Sequence, residues 1–213
     1  MTIDNKITVL TITSNNIHLL DNLSKFPNLQ SLKCSNLGLT QLHLNSCSKL
    51  ETLDCSRNNI YKLNIKNCYL LKNLKCYLNN IRYLDLEDSK YLENVDCYDN
   101  PITKILINHC PNLYHLDFSN CQVSFINTEK CPNLKHFYGN NNSLTFIKVN
   151  NNSIFKNFNC ENNLLESLPL SNFQLTNIEV LKFSENMFIL NSSQKNILSI
   201  YEYCPIEQAY FYY

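Results

Sequence analysis

The sequence predicts a mostly β repeat solenoid of the α/β type, in which every turn contributes one strand to a concave parallel sheet. Two observations support this fold class. A 21-residue unit recurs seven times in strict register across positions 29–174. Each unit opens with the pattern L-x-x-L-x-C or a close variant, and this alternation of apolar and polar residues is typical of a short strand with one buried face.

The regular units are found by their first apolar residue. They begin at Leu29, Leu50, Leu71, Leu92, Leu113, Leu134 and Phe155. The same signature appears before them at Ile7 and after them at Ile178, in both cases with a slightly longer spacing than the regular repeat. Strands that recur once per turn must run parallel to one another, so we expect a continuous parallel sheet along the chain.

We predict a single domain over residues 1–213. Its parts are a first turn at 7–28, regular 21-residue repeats at 29–174, and a last repeat with a carboxy-terminal cap at 175–213. In the last part we expect one helix between Phe188 and Ile206 and a final strand from Ile206, which would close that end of the hydrophobic core.

Two columns of residues are predicted to face inward. The third apolar position of the strand is often cysteine, at Cys34, Cys55, Cys76, Cys97 and Cys160. Three residues later stands asparagine, at Asn58, Asn79, Asn100, Asn142, Asn163 and Asn186. Buried amides can bond turn backbone that would otherwise be unpaired. Leu37 and Cys121 depart from the asparagine column, and we expect Leu37 to weaken its turn.

The second half of each unit repeats the apolar spacing about ten residues on, as in Ile60, Leu63 and Ile65. This spacing leaves no room for a helix in the regular units. The convex side is therefore predicted to consist of short extended or 3₁₀ segments. A parallel β-helix is the alternative architecture.

The full pattern, L-x-x-L-x-C-x-x-N-x-I-x-x-L-x-I, resembles the leucine-rich-repeat family in its short 21-residue class. The family pattern L-x-x-L-x-L-x-x-N or C also accommodates Cys121. The resemblance implies a protein–protein interaction module that binds its partner on the concave face. Two alternatives stay open: a substrate-recruiting subunit of an enzyme complex such as a ubiquitin ligase, and a metal-binding or redox protein.

Composition and charge narrow the possible partners. The 18 Lys+Arg residues balance the 18 Asp+Glu residues, so the long-range field that attracts nucleic acid or anionic lipid is missing. No run approaches the roughly 18 apolar residues of a membrane span, and the amino terminus lacks a basic start followed by an apolar stretch. We expect a cytoplasmic monomer whose partner is an unidentified protein, without nucleic acid or membrane.

The residues that could carry chemistry do not assemble into a site. The 11 cysteines fall in columns, which indicates packing, so reduced thiols are expected with neither disulfides nor a metal site. His115 and His136 lie one repeat apart, yet the pattern fixes no third metal ligand. Nucleotide-binding and hydrolase motifs are missing from the sequence. We expect neither an enzyme nor a cofactor.

Outward strand positions define the expected binding surface. The candidate partner-binding residues of the middle turns are Arg57, Tyr77, Leu78, Asp96, Tyr98, Asp99, His115, Asp117, His136 and Tyr138. Tyrosine and arginine are enriched at binding hot spots, although a tyrosine-rich chain exposes tyrosines in any case. A further outward column, Lys33, Asp54, Lys75 and Asp96, alternates in charge and could instead be a neutralised structural ladder.

Overall fold

The fold is described from a computed structural model, which covers residues 4–87, 89–107, 109–150, 154–170 and 177–188. Within these ranges the chain forms one 3₁₀ helix, Ser14–Lys25, and fifteen strands of three residues each. The strands are β1 (Val9–Thr11), β2 (Ser31–Lys33), β3 (Gln41–His43), β4 (Thr52–Asp54), β5 (Lys62–Asn64), β6 (Asn73–Lys75), β7 (Tyr83–Asp85), β8 (Asn94–Asp96), β9 (Lys104–Leu106), β10 (His115–Asp117), β11 (Phe125–Asn127), β12 (His136–Tyr138), β13 (Phe146–Lys148), β14 (Asn157–Asn159) and β15 (Val180–Lys182).

One strand from each turn joins a parallel sheet of nine strands, in the order β1-β2-β4-β6-β8-β10-β12-β14-β15. In the regular units each strand residue lies opposite its equivalent one repeat further on, as Leu32 lies opposite Leu53. At the ends the spacing changes while the register is kept: Val9 lies opposite Ser31, and Asn157 opposite Val180. The predicted concave parallel sheet is confirmed.

The other half of the turns is also extended. Six short strands there pair as β3 with β5, β7 with β9, and β11 with β13, all parallel. No helix occurs in the described part of the regular units, as the apolar spacing predicts. The described ranges also contain no helix long and apolar enough to cross a membrane.

The hydrophobic core runs the length of the solenoid between these two rows of strands. Leucines at the strand centres, such as Leu53, are fully buried, and so is the cysteine next to them. In the fifth and sixth regular units the cysteine position holds Phe118 and Gly139. A Cβ atom on Gly139 would lie 2.6 Å from Cζ of Phe118, so the larger ring requires the smaller neighbour.

The asparagine column joins consecutive turns through buried amides. Asn79 Nδ2 donates to the carbonyl oxygens of Cys76 at 3.0 Å and of Cys55, one turn earlier, at 3.1 Å. Its Oδ1 accepts the backbone N–H of Ile60 at 2.9 Å. The corresponding bonds occur at Asn58, Asn100, Asn142, Asn163 and Asn186. The predicted role of this column is confirmed.

Cys121 occupies the asparagine position with a weaker donor. Its Sγ lies 3.7 Å from the carbonyl oxygens of Cys97 and Ser119, the two acceptors that an amide would reach at about 3 Å. At the other departure, Leu37 is half-buried against the core, and its N–H donates to Asn58 Oδ1 at 2.8 Å. The expectation that Leu37 weakens its turn stays a prediction.

A third column stands in the left-handed backbone region. Its φ angles lie between 51° and 57°, at Asn36, Arg57, Leu78, Asp99, Asn120, Asn141, Asn162 and Glu185. Asparagine and aspartate tolerate this region, whereas leucine does so at a cost of about 1–2 kcal/mol. The repeat pattern marks Arg57, Leu78 and Asp99 only as surface positions, but the turn also imposes a backbone requirement on them.

The first turn differs from the sequence expectation, which assigns it no helix. Ser14–Lys25 forms a 3₁₀ helix with kinks at Asn16 and Asn22, and it buries Leu23. The physical reason is that the third apolar position of the convex half, which Ile65 fills in the second regular unit, holds Asn22 here, although Ile17 and Leu20 keep the first two. The helix and strand predicted between Phe188 and the carboxyl end lie outside the described residues.

We predict that Cys121→Asn raises the free energy of unfolding by about 1 kcal/mol, because an amide supplies shorter bonds than the thiol does. Chemical denaturation measures the change. Asn142→Cys, the reverse change one unit later, should lower stability by a similar amount. Equal stability of the Cys121→Asn variant and the parent would contradict this account of the column.

We predict that Leu78→Asn stabilises the protein by about 1 kcal/mol, since asparagine relieves the cost of a left-handed leucine. Leu164→Asn is the matched control, because Leu164 is likewise exposed but lies outside the left-handed region. Thermal unfolding of both variants tests the prediction. A gain of the same size in the control would show that replacing any exposed leucine has this effect.

Candidate partner-binding surface

The predicted residues lie on the concave sheet or at its rim. In β10, His115 and Asp117 flank the buried Leu116 and point outward. Asp96, His136 and Tyr138 hold equivalent positions in β8 and β12. The remaining residues follow the strands: Tyr77 and Tyr98 by two positions, and Arg57, Leu78 and Asp99 at the left-handed rim.

Three consecutive turns build a stack of flat side chains. The rings of Tyr77 and Tyr98 lie parallel, with an interplanar angle of 4° and centroids 4.6 Å apart. The guanidinium carbon of Arg57 lies 5.7 Å from the Tyr77 centroid, within the range of a cation–π contact. The structure thus joins three predicted residues, whereas Leu78 is linked to its neighbours by backbone hydrogen bonds.

The two histidines belong to separate hydrogen-bond groups. His115 Nε2 lies 2.9 Å from Asp96 Oδ1, and the His115 ring packs 5.6 Å from that of Tyr138. His136 Nδ1 lies 2.7 Å from Asn157 Oδ1, and His136 Nε2 lies 2.9 Å from the Tyr114 hydroxyl. The ring centroids of the two histidines are 6.2 Å apart. Among the described residues no group of three or more His, Cys, Asp or Glu is placed to hold a metal ion.

Asp117 is a half-buried carboxylate of the surface. Its Oδ1 accepts the backbone N–H of Ser119 at 2.9 Å and the Ser119 hydroxyl at 2.7 Å. Burial raises the pKa of Asp117, the Ser119 hydrogen bonds and the nearby His115 oppose that rise, and the negative charge of Asp96, directly opposite in the sheet, adds to it. Burial also raises the pKa of Tyr98, as do Tyr77 and the nearby carboxylates.

The alternating charge column has the predicted register but few close pairs. Lys33, Asp54, Lys75 and Asp96 lie opposite one another in succession. Only Lys75 and Asp96 come within ion-pair distance among these described residues, at 3.8 Å. The alternation then ends, because Asp117 follows Asp96.

Several residues of this surface were not predicted from the sequence. The Tyr114 hydroxyl lies 2.9 Å from His136 Nε2, and Tyr114 stands one position before a strand, just outside the columns used for prediction. At the rim, side-chain amides donate along the left-handed column, from Asn120 to Asp99, from Asn141 to Asn120 and from Asn162 to Asn141. The repeated Asn at this position was the signal that could have revealed this ladder.

The opposite sheet carries a second exposed aromatic pair. Phe125 and Phe146, from β11 and β13, stack at 5.9 Å with an interplanar angle of 2°. About half of each side chain is exposed, at 48% and 54%. Each phenylalanine precedes the buried central residue of its strand, so the convex spacing predicts that it faces outward. The predicted binding residues, however, lie only in the concave columns.

The thiols are part of the core. Nine of the ten described cysteines are buried, and Cys204 lies outside the described residues. Burial raises the pKa of Cys34, Cys68, Cys110 and Cys131 to about 12, and that of the half-buried Cys121 to about 11. The thiolate is the reactive form of cysteine, and the raised pKa values keep these thiols protonated near neutral pH. These side chains therefore pack as small apolar groups.

The raised thiol pKa values predict a loss of stability at alkaline pH. In the unfolded chain a thiol ionises near pH 9, whereas Cys110 in the folded chain stays protonated until about pH 12. The unfolded state is therefore favoured increasingly between these values. Between pH 8 and 11, Cys110→Ala should lose about 2 kcal/mol less unfolding free energy than the parent.

Denaturant titrations at pH 8 and pH 11 give this difference. Val123→Ala is the control, because it opens a cavity at a buried position without removing an ionisable group. If Val123→Ala and Cys110→Ala show the same pH dependence, the buried thiol is not the source.

Comparisons with known proteins give no sequence relatives. A scan against protein-family models finds no match, and a search of curated proteins likewise finds none. Solved structures do match. The functional domain of InlJ from Listeria monocytogenes, which includes a cysteine ladder, has a TM-score of 0.76 at 21% identity, over 91% of this chain and 46% of that one.

Two further structures share the architecture. YopM, a leucine-rich effector protein from Yersinia pestis, has a TM-score of 0.59 at 22% identity, over 76% of this chain and 51% of its own. The LRR protein LIC12759 from Leptospira interrogans has a TM-score of 0.52 at 19% identity, over 92% and 62% respectively. This chain spans about half the length of the first two. At these identities the likeness concerns the fold.

Proposed function

We propose that this chain, a leucine-rich-repeat solenoid, is a protein-interaction module that binds its partner on the concave face of the middle turns. The observation that carries the proposal is the stack of Arg57, Tyr77 and Tyr98 on that face. Tyrosine and arginine supply most of the energy at many protein interfaces. Here three of them form one continuous surface.

The stack is ordered before any partner arrives. Parallel ring contact and the cation–π contact restrict the rotamers of these side chains, so less conformational entropy is lost on binding. Each side chain also follows a strand of the sheet by two or three positions, where backbone hydrogen bonds still join consecutive turns, as between the Arg57 N–H and the Tyr77 carbonyl. Such a surface can bind a partner without a conformational change in the module.

The fold neighbours support an interaction role in general terms. Leucine-rich-repeat structures of this kind present a long concave sheet whose outward residues vary while the inward residues are constrained by packing. Fold alone does not identify a partner, and this chain covers about half of InlJ and YopM. The identity of the partner and the use of the concave face are therefore proposals for this chain.

We predict that Tyr77→Ala combined with Tyr98→Ala reduces partner affinity at least about a hundredfold, since each buried hot-spot aromatic contributes about 2 kcal/mol or more. The parent chain first identifies its partner by affinity capture and mass spectrometry. Titration calorimetry with that purified partner then compares the double variant with the parent. Both tyrosines are outside the core, so the melting temperature should change little.

The matched control is Phe125→Ala combined with Phe146→Ala. This pair is also stacked and exposed but lies on the opposite sheet. Partner affinity should be unchanged in this control. If the phenylalanine variant loses binding and the tyrosine variant keeps it, the binding face is the convex one and the proposal is wrong.

A further inference from the structure

Among the described residues the aromatic stack stops at Tyr98, whose ring contacts no aromatic ring other than that of Tyr77. Arg57 comes from the turn before Tyr77 and Tyr98 from the turn after it, so the three side chains follow the solenoid axis. One repeat beyond Tyr98 the same position holds Ser119. Serine is too small to continue the stack, so no ring fills the space over Ser119 in the described part of the chain.

Carboxylates stand in the two outward columns on either side of this position. Asp99 extends toward the next turn, where its Oδ1 accepts Asn120 Nδ2 at 2.7 Å. Asp117 lies in the adjacent column and is held by Ser119 through Oδ1 alone. In the described part of the chain, its Oδ2 has no hydrogen-bond partner, and no Lys or Arg lies within ion-pair distance of Asp117 or Asp99.

The charge pattern of the sheet is broken at this point. Asp96 and Asp117 are directly opposite each other in neighbouring parallel strands, where their like charges repel. The only described counter-charges near Asp96 are Lys75 at 3.8 Å, whose side chain is 54% exposed, and His115. The middle of the concave face therefore carries three carboxylates, Asp96, Asp99 and Asp117, near the ring of Tyr98, and of these only Asp96 has a lysine within ion-pair distance among the described residues.

The same Asp–Ser motif elsewhere in the sheet has lysines, rather than a carboxylate, as its strand neighbours. Asp54 Oδ1 accepts the Ser56 hydroxyl at 2.6 Å and the Ser56 N–H at 3.2 Å, which reproduces the Asp117–Ser119 geometry. Asp54, however, lies between Lys33 and Lys75 in register. The Asp–Ser hydrogen bonds therefore do not account for what distinguishes Asp117, which lies opposite another carboxylate and near the Tyr98 ring.

We propose that this space, named the Tyr98 site and formed by Tyr98, Asp99, Asp117 and Ser119, receives an arginine side chain of the protein partner. The inference rests on the proposed concave-face function and specifies its partner chemistry. The guanidinium stacks on the open face of Tyr98, and its N–H groups donate to the carboxylates of Asp117 and Asp99. The stack then carries a guanidinium at both ends.

A contact of the same kind already exists within the chain. Arg57 already places its guanidinium over Tyr77, at the opposite end of the same tyrosine pair. A planar guanidinium both stacks on an aromatic ring and forms a forked bond to a carboxylate, whereas a lysine ammonium acts as a compact point charge. The site should therefore prefer arginine to lysine.

The test uses three short peptides with the complete 213-residue chain. The probes are acetyl-Gly-Arg-Gly-amide, its lysine analogue, and its citrulline analogue, which keeps the planar shape without the charge. Proton NMR follows the ring signals of Tyr98, assigned by comparison with Tyr98→Phe. We expect the arginine peptide to shift these signals and to bind about fivefold or more tightly than the other two.

Two variants probe the site, each with a matched control. Ser119→Tyr continues the stack into the open space and should weaken arginine-peptide binding about tenfold, whereas Ser35→Tyr, at the same column position in the first regular unit, should not. Asp117→Asn should weaken binding to a similar degree, and Asp54→Asn should leave it unchanged. Tyrosine is already accommodated at this column position in two turns, so Ser119→Tyr is expected to fold, as its melting temperature will show.

The outcomes separate this inference from the proposed function. Equal binding of the three peptides, or arginine binding that survives both Ser119→Tyr and Asp117→Asn, overturns the Tyr98 site. In that case, weaker binding of the natural partner by the double variant Tyr77→Ala and Tyr98→Ala would still support concave-face binding. A different result is that the arginine peptide binds the Tyr98 site while Ser119→Tyr and Asp117→Asn leave the affinity for the natural partner unchanged. The site would then exist, but it would have no part in the proposed function.

Discussion

The buried side-chain amide between consecutive turns is the interaction on which the solenoid depends. Between the strands, the backbone of each turn passes through the core edge where water cannot satisfy its polar groups. One asparagine serves two turns at once, as Asn79 does for the carbonyls of Cys55 and Cys76 and the N–H of Ile60. The same hydrogen bonds therefore hold consecutive turns together and satisfy the polar groups of the backbone.

This fixed stacking determines what the surface can do. Because every turn is held at one register, outward residues form straight columns, and side chains one repeat apart can touch. The Tyr77–Tyr98 stack, the Asn120–Asp99 amide bond and the like-charged Asp96–Asp117 pair all arise in this way. A column of identical residue types gives a ladder, and a break in the column gives a local feature such as the open face of Tyr98.

The repeat made most of the architecture predictable. Register, the inward cysteine and asparagine columns, and the extended convex segments follow from periodicity, because burial leaves few residue types at those positions. The first-turn 3₁₀ helix was not predictable in this way, since Ile17 and Leu20 keep the apolar spacing of the other turns and only Asn22 departs from it. On the surface, periodicity placed Tyr77 next to Tyr98, but the position of the Arg57 guanidinium over Tyr77 and the left-handed backbone at Leu78 depend on local torsions that spacing does not encode.

The unequal lengths of the turns have an evolutionary consequence. The step from Val9 to Ser31 and the step from Asn157 to Val180 are both slightly longer than the regular step from Leu32 to Leu53, yet all these strands are in register. Insertions and deletions can thus accumulate outside the strands while each concave residue keeps its neighbours. Such a chain can gain, lose or lengthen a turn by recombination, and the recognition surface diversifies one column position at a time.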